Sequence, residues 1–212
     1  MFKLKAASAA LIPMILAGCS SDGQLTDTGI IVTRSACPAV AIPAGTGDIT
    51  LFNPASSRDA SAIDVVANIT NVRATCDESG AQIVTNITFD IQAQRRDTSG
   101  AREVVLPYFA TVVRSGTNVV SKSLSNVGLR FADGQLRAAA TGTATGRIDA
   151  SAAALPEEVR RQVTRRRKPG DADAAIDPMA DPAVRAAVQN ASFEILVGFQ
   201  LTDEQLRYNA TK

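Results

Sequence analysis

Three cysteines are the side chains in this 212-residue sequence whose chemistry depends most on their surroundings: Cys19, Cys37 and Cys76. A thiol can act as a nucleophile, a metal ligand, an acylation site or one half of a disulfide bond. The chain contains no histidine. This excludes Ser/His/Asp and Cys/His nucleophile arrangements and the common zinc sites built on imidazole, so an enzyme would have to use carboxylates or a Ser/Lys pair.

Cys19 follows a short segment with the pattern of an export signal. Lys3 and Lys5 supply positive charge, and the run from 6 to 17 that follows them is almost entirely apolar, with small residues at its end. The run is shorter than the roughly 20 apolar residues that a membrane-spanning helix needs. The segment therefore indicates export rather than a transmembrane helix.

The end of this segment resembles the lipobox of bacterial lipoproteins, whose four positions are filled by Leu16, Ala17, Gly18 and Cys19. The resemblance implies cleavage before Cys19, a diacylglyceryl group on its thiol and acylation of the new amino terminus. Several acyl chains hold a protein firmly, whereas one chain binds a membrane only marginally. Ser20 stands where an aspartate favours inner-membrane retention in similar enteric lipoproteins, so the similarity favours the periplasmic face of the outer membrane. The alternative is an ordinary secretory signal with a chance cysteine.

The lipoprotein resemblance also implies an oxidising compartment, where the two remaining thiols form an even pair. We therefore predict a disulfide bond between Cys37 and Cys76, closing a loop of about 40 residues. The alternative, a free reactive thiol, has no histidine to activate it. Residues 1–18 would be the signal peptide and the small, polar residues 19–28 a flexible tether, leaving 29–212 as a single folded domain.

Charge gives little reason to expect a nucleic-acid partner. The chain has 22 basic and 21 acidic residues, and removal of Lys3 and Lys5 with the leader leaves 20 and 21, a net charge of −1. No overall field attracts such a protein to nucleic acid. The expected partners are the membrane, through the lipid anchor, and another envelope protein. No cofactor is predicted.

The most polarised stretch is a basic cluster at Arg160, Arg161, Arg165, Arg166, Arg167 and Lys168. As a contact patch it would bind the phosphates of lipid head groups or an acidic protein surface. As an ordinary solvated helix face, it would be partly neutralised by the aspartates that follow.

Carboxylates offer two further possibilities, neither of which the sequence favours. Closely spaced acids resemble calcium ligands at Asp171, Asp173, Asp177 and Asp181, but the EF-hand glycine and terminal glutamate are missing, which favours an acidic linker and no metal site. Glycosidase chemistry needs two acids that face one cleft. Asp90 and Glu103 are candidates, but nothing in the pattern links them to one pocket, so no catalytic residue is predicted.

The elements that would position these residues are mainly β-strands. From residue 29 the chain shows short runs rich in Val, Ile and Thr, separated by Gly, Pro, Asn and Asp. Early strands are predicted at 29–34, 40–42 and 48–52. Strict alternation in 83–94 and a continuous apolar face in 193–201 indicate strands with one buried and one wet side. Within 63–76 the apolar phase shifts by one residue, which predicts a β-bulge.

The middle of the chain supports more local predictions. Residues 95–102 are expected to form a polar turn, and Pro107 should lie at a sheet edge or a bulge because it has no N–H to donate. Strands are predicted at 119–124 and 127–131, the second forming a hairpin with 135–148. The Ala-, Thr- and Gly-rich part of that last strand predicts either a close approach by another element or an exposed arm open to a partner.

Residues 155–190 interrupt the β pattern. Acids at the start and bases at the end fit a short helix that stops at Pro169-Gly170, followed by a mobile acidic linker and one or two helical turns at 182–189. In the tail, Thr202 and Gln205 have the spacing of a capping box.

Together these patterns predict an all-β fold, an antiparallel β-sandwich of immunoglobulin-like or fibronectin-like type with a short charged helical insertion before its last strand. They also predict a lipid-anchored envelope protein that assembles or tethers another outer-membrane or periplasmic component and catalyses no reaction. The alternatives are a carboxylate-dependent hydrolase of envelope glycan and a carrier of an apolar ligand between the sheets. Fold alone implies no activity.

Overall fold

The computed structural model describes residues 23–26, 29–32, 35–165, 170–172 and 175–211, and only the backbone of the first two ranges. The strands of this part of the chain are β1 Gly23–Thr26, β2 Gly29–Val32, β3 Ala39–Ala41, β4 Asp48–Phe52, β5 Ile63–Asp77, β6 Gln82–Arg95, β7 Arg102–Arg114, β8 Asn118–Phe131, β9 Arg137–Asp149 and β10 Phe193–Phe199. The α-helices are α1 Ala150–Ala153, α2 Glu157–Thr164, α3 Pro182–Asn190 and α4 Asp203–Thr211, and 3-10 helices lie at Ala60–Ala62 and Pro178–Ala180. None of these helices is both long and apolar enough to cross a membrane.

Two four-stranded sheets form the domain. The first sheet has the order β3-β10-β7-β8 and the second β4-β5-β6-β9, while β1 and β2 form a separate antiparallel pair. Neighbouring strands of the two large sheets are antiparallel except β3 and β10, which are parallel. The predicted all-β sandwich with a helical insertion before the last strand is therefore confirmed.

The core lies between the two sheets and is built by alternation. Every second residue of β6 from Ile83 to Arg95 is buried, and in β10 Ile195, Val197 and Phe199 have no exposed surface. Because successive strand residues point to opposite faces, each sheet contributes one apolar face to the core. Each large apolar side chain buried in this way contributes about 1.5 to 3 kcal/mol to stability.

The β-bulge predicted in the first long strand is present in β5. The register between β5 and β6 shifts between Thr70 and Arg73, and Asn71 has a positive φ of 54°. Asparagine tolerates this left-handed conformation better than most residues. The bulge lets Ile69 and Val72 both pack against the core although they are three positions apart in the sequence.

The predicted hairpin between 127–131 and 135–148 is wrong. β8 runs without interruption from Asn118 to Phe131 and pairs with β7, whereas β9 pairs with β6 in the other sheet. The connection between them bonds to the loop after β6 instead: Gly134 N donates to Thr98 O at 2.9 Å. The Ala-Asp-Gly turn carries the chain from one sheet to the other. The prediction failed because a turn sequence indicates a local reversal of the chain and does not determine which strand the next one pairs with.

Pro107 occupies neither an edge strand nor a bulge, contrary to the prediction. It lies in β7, between β10 and β8, and the irregularity in the β7–β8 register comes later in the strand. Pro107 O accepts a hydrogen bond from Gln200 N at 2.9 Å, so the proline nitrogen also faces the β10 side. The β7–β10 pairing ends one residue away, at Tyr108 and Phe199, so no strand residue needs the missing donor.

The helical segments follow the sequence signals. α2 begins with Glu157 and Glu158 and ends at Thr164, before the predicted stop, and α3 confirms the second helical segment. The capping box of α4 is reciprocal: Thr202 N donates to Gln205 Oε1 at 2.9 Å and Gln205 N donates to Thr202 Oγ1 at 3.2 Å. Asn209 then holds α4 against the domain by donating to Gly45 O and Asp48 O.

Candidate functional site

The predicted disulfide bond between Cys37 and Cys76 is present. It joins the segment before β3 to the end of β5, with the two Cα atoms 6.1 Å apart. Glu78, in the turn after β5, reinforces this link by accepting hydrogen bonds from Ala36 N at 2.9 Å and Ser35 Oγ at 3.2 Å. The two sulfurs therefore hold the entry to the domain against the turn between β5 and β6.

The predicted lipidation site, Cys19, and the signal peptide lie outside the described residues. Within the proposed tether, Gly23–Thr26 forms β1 and pairs with β2. Part of the segment predicted to be a flexible tether is therefore a paired strand, and the lipid anchor stays a prediction.

The structure describes only part of the basic cluster. Arg166, Arg167 and Lys168 lie outside the described residues. The remaining three arginines are exposed and each has a carboxylate neighbour: Arg160 and Arg161 lie beside Glu157, the latter at 3.8 Å, and Arg165 lies 4.0 Å from Asp171. The arrangement of these three favours a solvated, self-neutralised surface.

The aspartates of the predicted linker mostly begin helices. Asp177 accepts from Met179 N at 2.9 Å and caps the 3-10 helix, and Asp181 accepts from Ala183 N at 2.8 Å and caps α3. Asp173 lies outside the described residues. Among the residues that are described, no group of three or more His, Cys, Asp or Glu side chains could hold a metal ion.

The two carboxylates considered for glycosidase chemistry lie on different sheets. Asp90 of β6 accepts from Asn71 Nδ2 at 2.6 Å and is 3.8 Å from Arg73. Glu103 of β7 is 3.4 Å from Arg130 and lines a shallow depression of about 390 Å³. Each acid therefore has its own cation, and the two do not share a pocket.

The small residues of β9 allow a close approach by the core, the first of the two predicted possibilities. A Cβ atom on Gly142 would lie 2.3 Å from the ring of Phe89, and one on Gly146 would lie 2.3 Å from Ile195. The Tyr108 hydroxyl donates to Thr143 O at 2.7 Å and its ring packs edge-on against Phe89, with ring centres 5.2 Å apart. Larger side chains in β9 would displace these core rings.

Arg95 is a buried cation that the sequence interpretation placed in a polar turn. It is the last residue of β6 and is 1% exposed. Its guanidinium donates at 2.7 to 2.9 Å to four backbone carbonyls, those of Thr98, Gly100, Ala132 and Gln135, and lies over the Phe131 ring. The signal was the alternation itself, because Arg95 continues the buried positions of β6 two residues after Ala93.

β8 presents an unpaired backbone edge. It is the last strand of its sheet, and no described strand pairs with the side that faces away from β7, which we call the β8 edge. Since Pro107 directs its polar atoms toward β10, the pair it forms with Asn126 is not hydrogen-bonded. Alternation along the ladder then directs the N–H groups of Lys122, Leu124 and Asn126 toward the β8 edge.

The surface around this edge carries four exposed aliphatic side chains among serine, asparagine and lysine residues. Exposed fractions are 58% for Val105, 59% for Val119, 53% for Val120 and 65% for Leu124. The register places Leu124 opposite Phe109 on the outer face of the sheet. Exposed aliphatic side chains next to an unpaired strand edge are the two features that strand addition uses.

A second feature lies on the outer face of the other sheet. A solvent-open depression of about 750 Å³, which we call the arginine pocket, is lined by the polar residues Asp64, Asn68, Gln92, Gln94, Arg96 and Arg137, with Val66 and Leu136 beside them. Gln94 lies directly opposite both Val66 and Arg137, so these three form one row across the sheet. Arg96 N donates to Asp64 O at 2.9 Å in the adjacent row.

The carboxylate of the arginine pocket is already neutralised. Arg102 makes a bidentate contact with Asp64 through hydrogen bonds of 2.7 and 2.6 Å, and these bonds raise the pKa of Arg102 above its ordinary value. Arg96 Nη1 donates to the backbone oxygens of Ala60 and Ser61. The Arg137 side chain has no hydrogen bond or ion pair to any described residue. Sequence reasoning missed this site because the register of strands far apart in the chain creates it.

No protein-family model, no curated protein and no solved structure matches this chain. Function is therefore inferred from the geometry of the chain itself.

Proposed function

We propose that this chain is a lipid-anchored protein of the bacterial cell envelope that binds another envelope protein and holds it in place, at the periplasmic face of the outer membrane. The observation that carries the proposal is the β8 edge with its exposed aliphatic side chains. The lipobox-like residues before Cys19 supply the location. Binding at a fixed site near a membrane is the work of a scaffold or tether.

The β8 edge fits an extended segment of the partner. Backbone N–H and C=O groups along an unpaired strand give affinity when a new strand is added, and side chains on alternate positions give specificity. A strand added beside β8 would lie next to Leu124, and a longer one would also reach Val119 and Val120. If two copies of this chain paired through β8 with the two-fold axis at Lys122, the two lysines would lie directly opposite one another. Like charges in that position are destabilising. A different protein is thus the favoured occupant.

The two alternative functions find less support in the geometry. A glycoside hydrolase needs two carboxylates in one cleft, and each of the two depressions described above is lined by a single carboxylate that is paired with an arginine. A carrier needs an apolar cavity that encloses its ligand. The larger depression is open and mostly polar.

The proposal is tested with a matched pair of variants at Asn126. Asn126→Pro removes an N–H that faces the β8 edge. The substitution leaves the hydrogen bonds between β7 and β8 intact, and Asn126→Ala keeps the N–H. We expect a protein captured from solubilised envelopes by the intact chain to bind Asn126→Ala normally and Asn126→Pro at least about tenfold more weakly, the factor that about 1.4 kcal/mol produces.

Direct contact is checked by placing a photoreactive side chain at position 124 and identifying the cross-linked partner. Thermal unfolding of Asn126→Pro close to that of the intact chain shows that the domain still folds. The proposal fails if nothing is captured by the intact chain, or if the proline variant retains the partner as well as the alanine variant does.

A further inference from the structure

We infer that the arginine pocket binds an oxyanion, either a carboxylate or a phosphate, carried by a ligand with further polar groups. This site lies on the sheet opposite to the one that contains β8. It is independent of the β8 edge, and neither site needs the other.

The two relevant arginines, Arg96 and Arg137, line the same depression. Arg137 is directly opposite Gln94, and Arg96 follows Gln94 by two residues, one residue beyond the end of β6. Residues directly opposite in an antiparallel pair have Cβ atoms about 4.5 to 5.5 Å apart, and diagonal neighbours are about 7 to 8 Å apart. Two long side chains at this spacing can contact the same small group.

The charge balance of the arginine pocket favours an anion. Its one carboxylate, Asp64, is occupied by the bidentate contact with Arg102, and the Asp64 side chain is only 13% exposed. Arg96 has carbonyl partners for one of its nitrogens, and Arg137 has no partner among the described residues. Two guanidinium groups that line one depression without a free carboxylate leave it positively charged, and a bound oxyanion is attracted to both.

The surrounding side chains define the rest of the ligand. Asn68, Gln92 and Gln94 are exposed and offer amide donors and acceptors, which suit hydroxyl or amide groups next to the anion. Guanidinium groups match the planar or tetrahedral oxygens of carboxylate and phosphate with two parallel hydrogen bonds. An acidic saccharide or peptide and the head group of an anionic phospholipid share this chemistry.

The test uses the isotope-labelled full chain in a nonionic detergent, observed by nuclear magnetic resonance. The side-chain amide signals of Asn68, Gln92 and Gln94 report on the arginine pocket directly. The probes are sodium phosphate, sodium acetate, and mixed micelles that contain phosphatidylcholine with or without phosphatidylglycerol, at ionic strength matched with sodium chloride. We expect saturable shifts of these signals with a soluble anion, or with the phosphatidylglycerol micelles alone if a lipid is the source.

Arg137→Gln should weaken this binding at least about tenfold, because it removes charge-assisted hydrogen bonds. Arg147→Gln is the matched control: it makes the same charge change on the same exposed face of β9, about 33 Å further along the strand at 3.3 Å per residue. It should leave the affinity within about twofold. Equal thermal unfolding of both variants confirms that Arg137 has no role in folding.

Two results would overturn the inference. One is the absence of saturable shifts with every probe. The other is an equal loss of affinity in Arg147→Gln, which would show nonspecific attraction to positive charge. Neither result bears on the β8 edge, whose test uses different residues and a protein partner.

Discussion

Arg95 is the residue whose removal should cost the most stability. Its guanidinium fills the end of the core and supplies the donors for four backbone carbonyls in two loops. Arg95→Ala leaves those carbonyls without a donor and opens a cavity under Phe131. We expect a loss of about 3 to 5 kcal/mol in the free energy of unfolding, measured by urea denaturation.

The neighbouring Arg96 is the control for Arg95, because it is exposed and its side chain donates only to the carbonyls of Ala60 and Ser61. Arg96→Ala should cost less than about 1.5 kcal/mol. A loss for Arg95→Ala as small as that for Arg96→Ala would contradict the role assigned to the buried cation.

The disulfide bond allows a second test at this scale. Cys37→Ser releases a loop closed between residues 39 positions apart in sequence, which in the chain-entropy model lowers stability by about 3 to 4 kcal/mol. Under oxidising conditions the variant should melt at a lower temperature than the intact chain. With reductant, which breaks the bond in the intact chain, the two melting temperatures should become equal. Equal melting of the intact chain with and without reductant would mean that the bond does not contribute.

These residues also show what the sequence could reveal about single positions. The disulfide pairing followed from cysteine count and compartment, which require no geometry. Arg95 could have been recognised by its phase in β6, but its charge suggested a turn, because a buried arginine needs acceptors that only the folded loops provide. Local composition describes a side chain, and tertiary structure supplies its partners.

At the scale of elements, β9 is constrained by the rings that pack against it. Gly142→Ala would place a methyl group 2.3 Å from the Phe89 ring, so the ring or the strand must move. We expect this change to lower the free energy of unfolding by about 1 to 3 kcal/mol, as overpacking does. The measurement is chemical denaturation of the variant beside the intact chain.

Gly80→Ala provides the comparison for Gly142→Ala. Gly80 lies in the exposed turn after β5, and a Cβ atom there meets nothing closer than 3.6 Å. Its effect should stay within about 0.5 kcal/mol, the usual range for surface substitutions. If both glycine variants behave alike, the close approach of Phe89 to β9 is not what selects glycine at position 142.

The elements differ in how well the sequence predicted them. The alternation of β6 and the phase shift in β5 predicted both the strands and the bulge, because these patterns depend only on neighbours in the chain. The positions of β8 and β9 in different sheets, and the depression that Arg96 and Arg137 both line, depend on pairing between distant segments. Periodicity carries no information about which strand lies beside which.

At the scale of the whole molecule, the two proposed surfaces lie on different sheets, one at the β8 edge and the other on the outer face of β5, β6 and β9. In the function that we propose, the domain engages a protein strand at one surface and an anionic ligand at the other. Because the two surfaces share no residue, their effects should be separable by single substitutions.

The proposed lipid anchor is the property on which the proposed location depends, and Cys19→Ser tests it. Without the thiol, no diacylglyceryl group can be attached, and the chain loses the acyl chains that hold it at the membrane. We expect the variant to move from the membrane fraction to the soluble periplasmic fraction, measured by fractionation and immunoblotting. Cys37→Ser also removes one thiol but should stay with the membrane. Mass spectrometry of the mature chain should find Cys19 as the acylated first residue. A Cys19→Ser protein that sediments entirely with membranes would show that another feature holds it there.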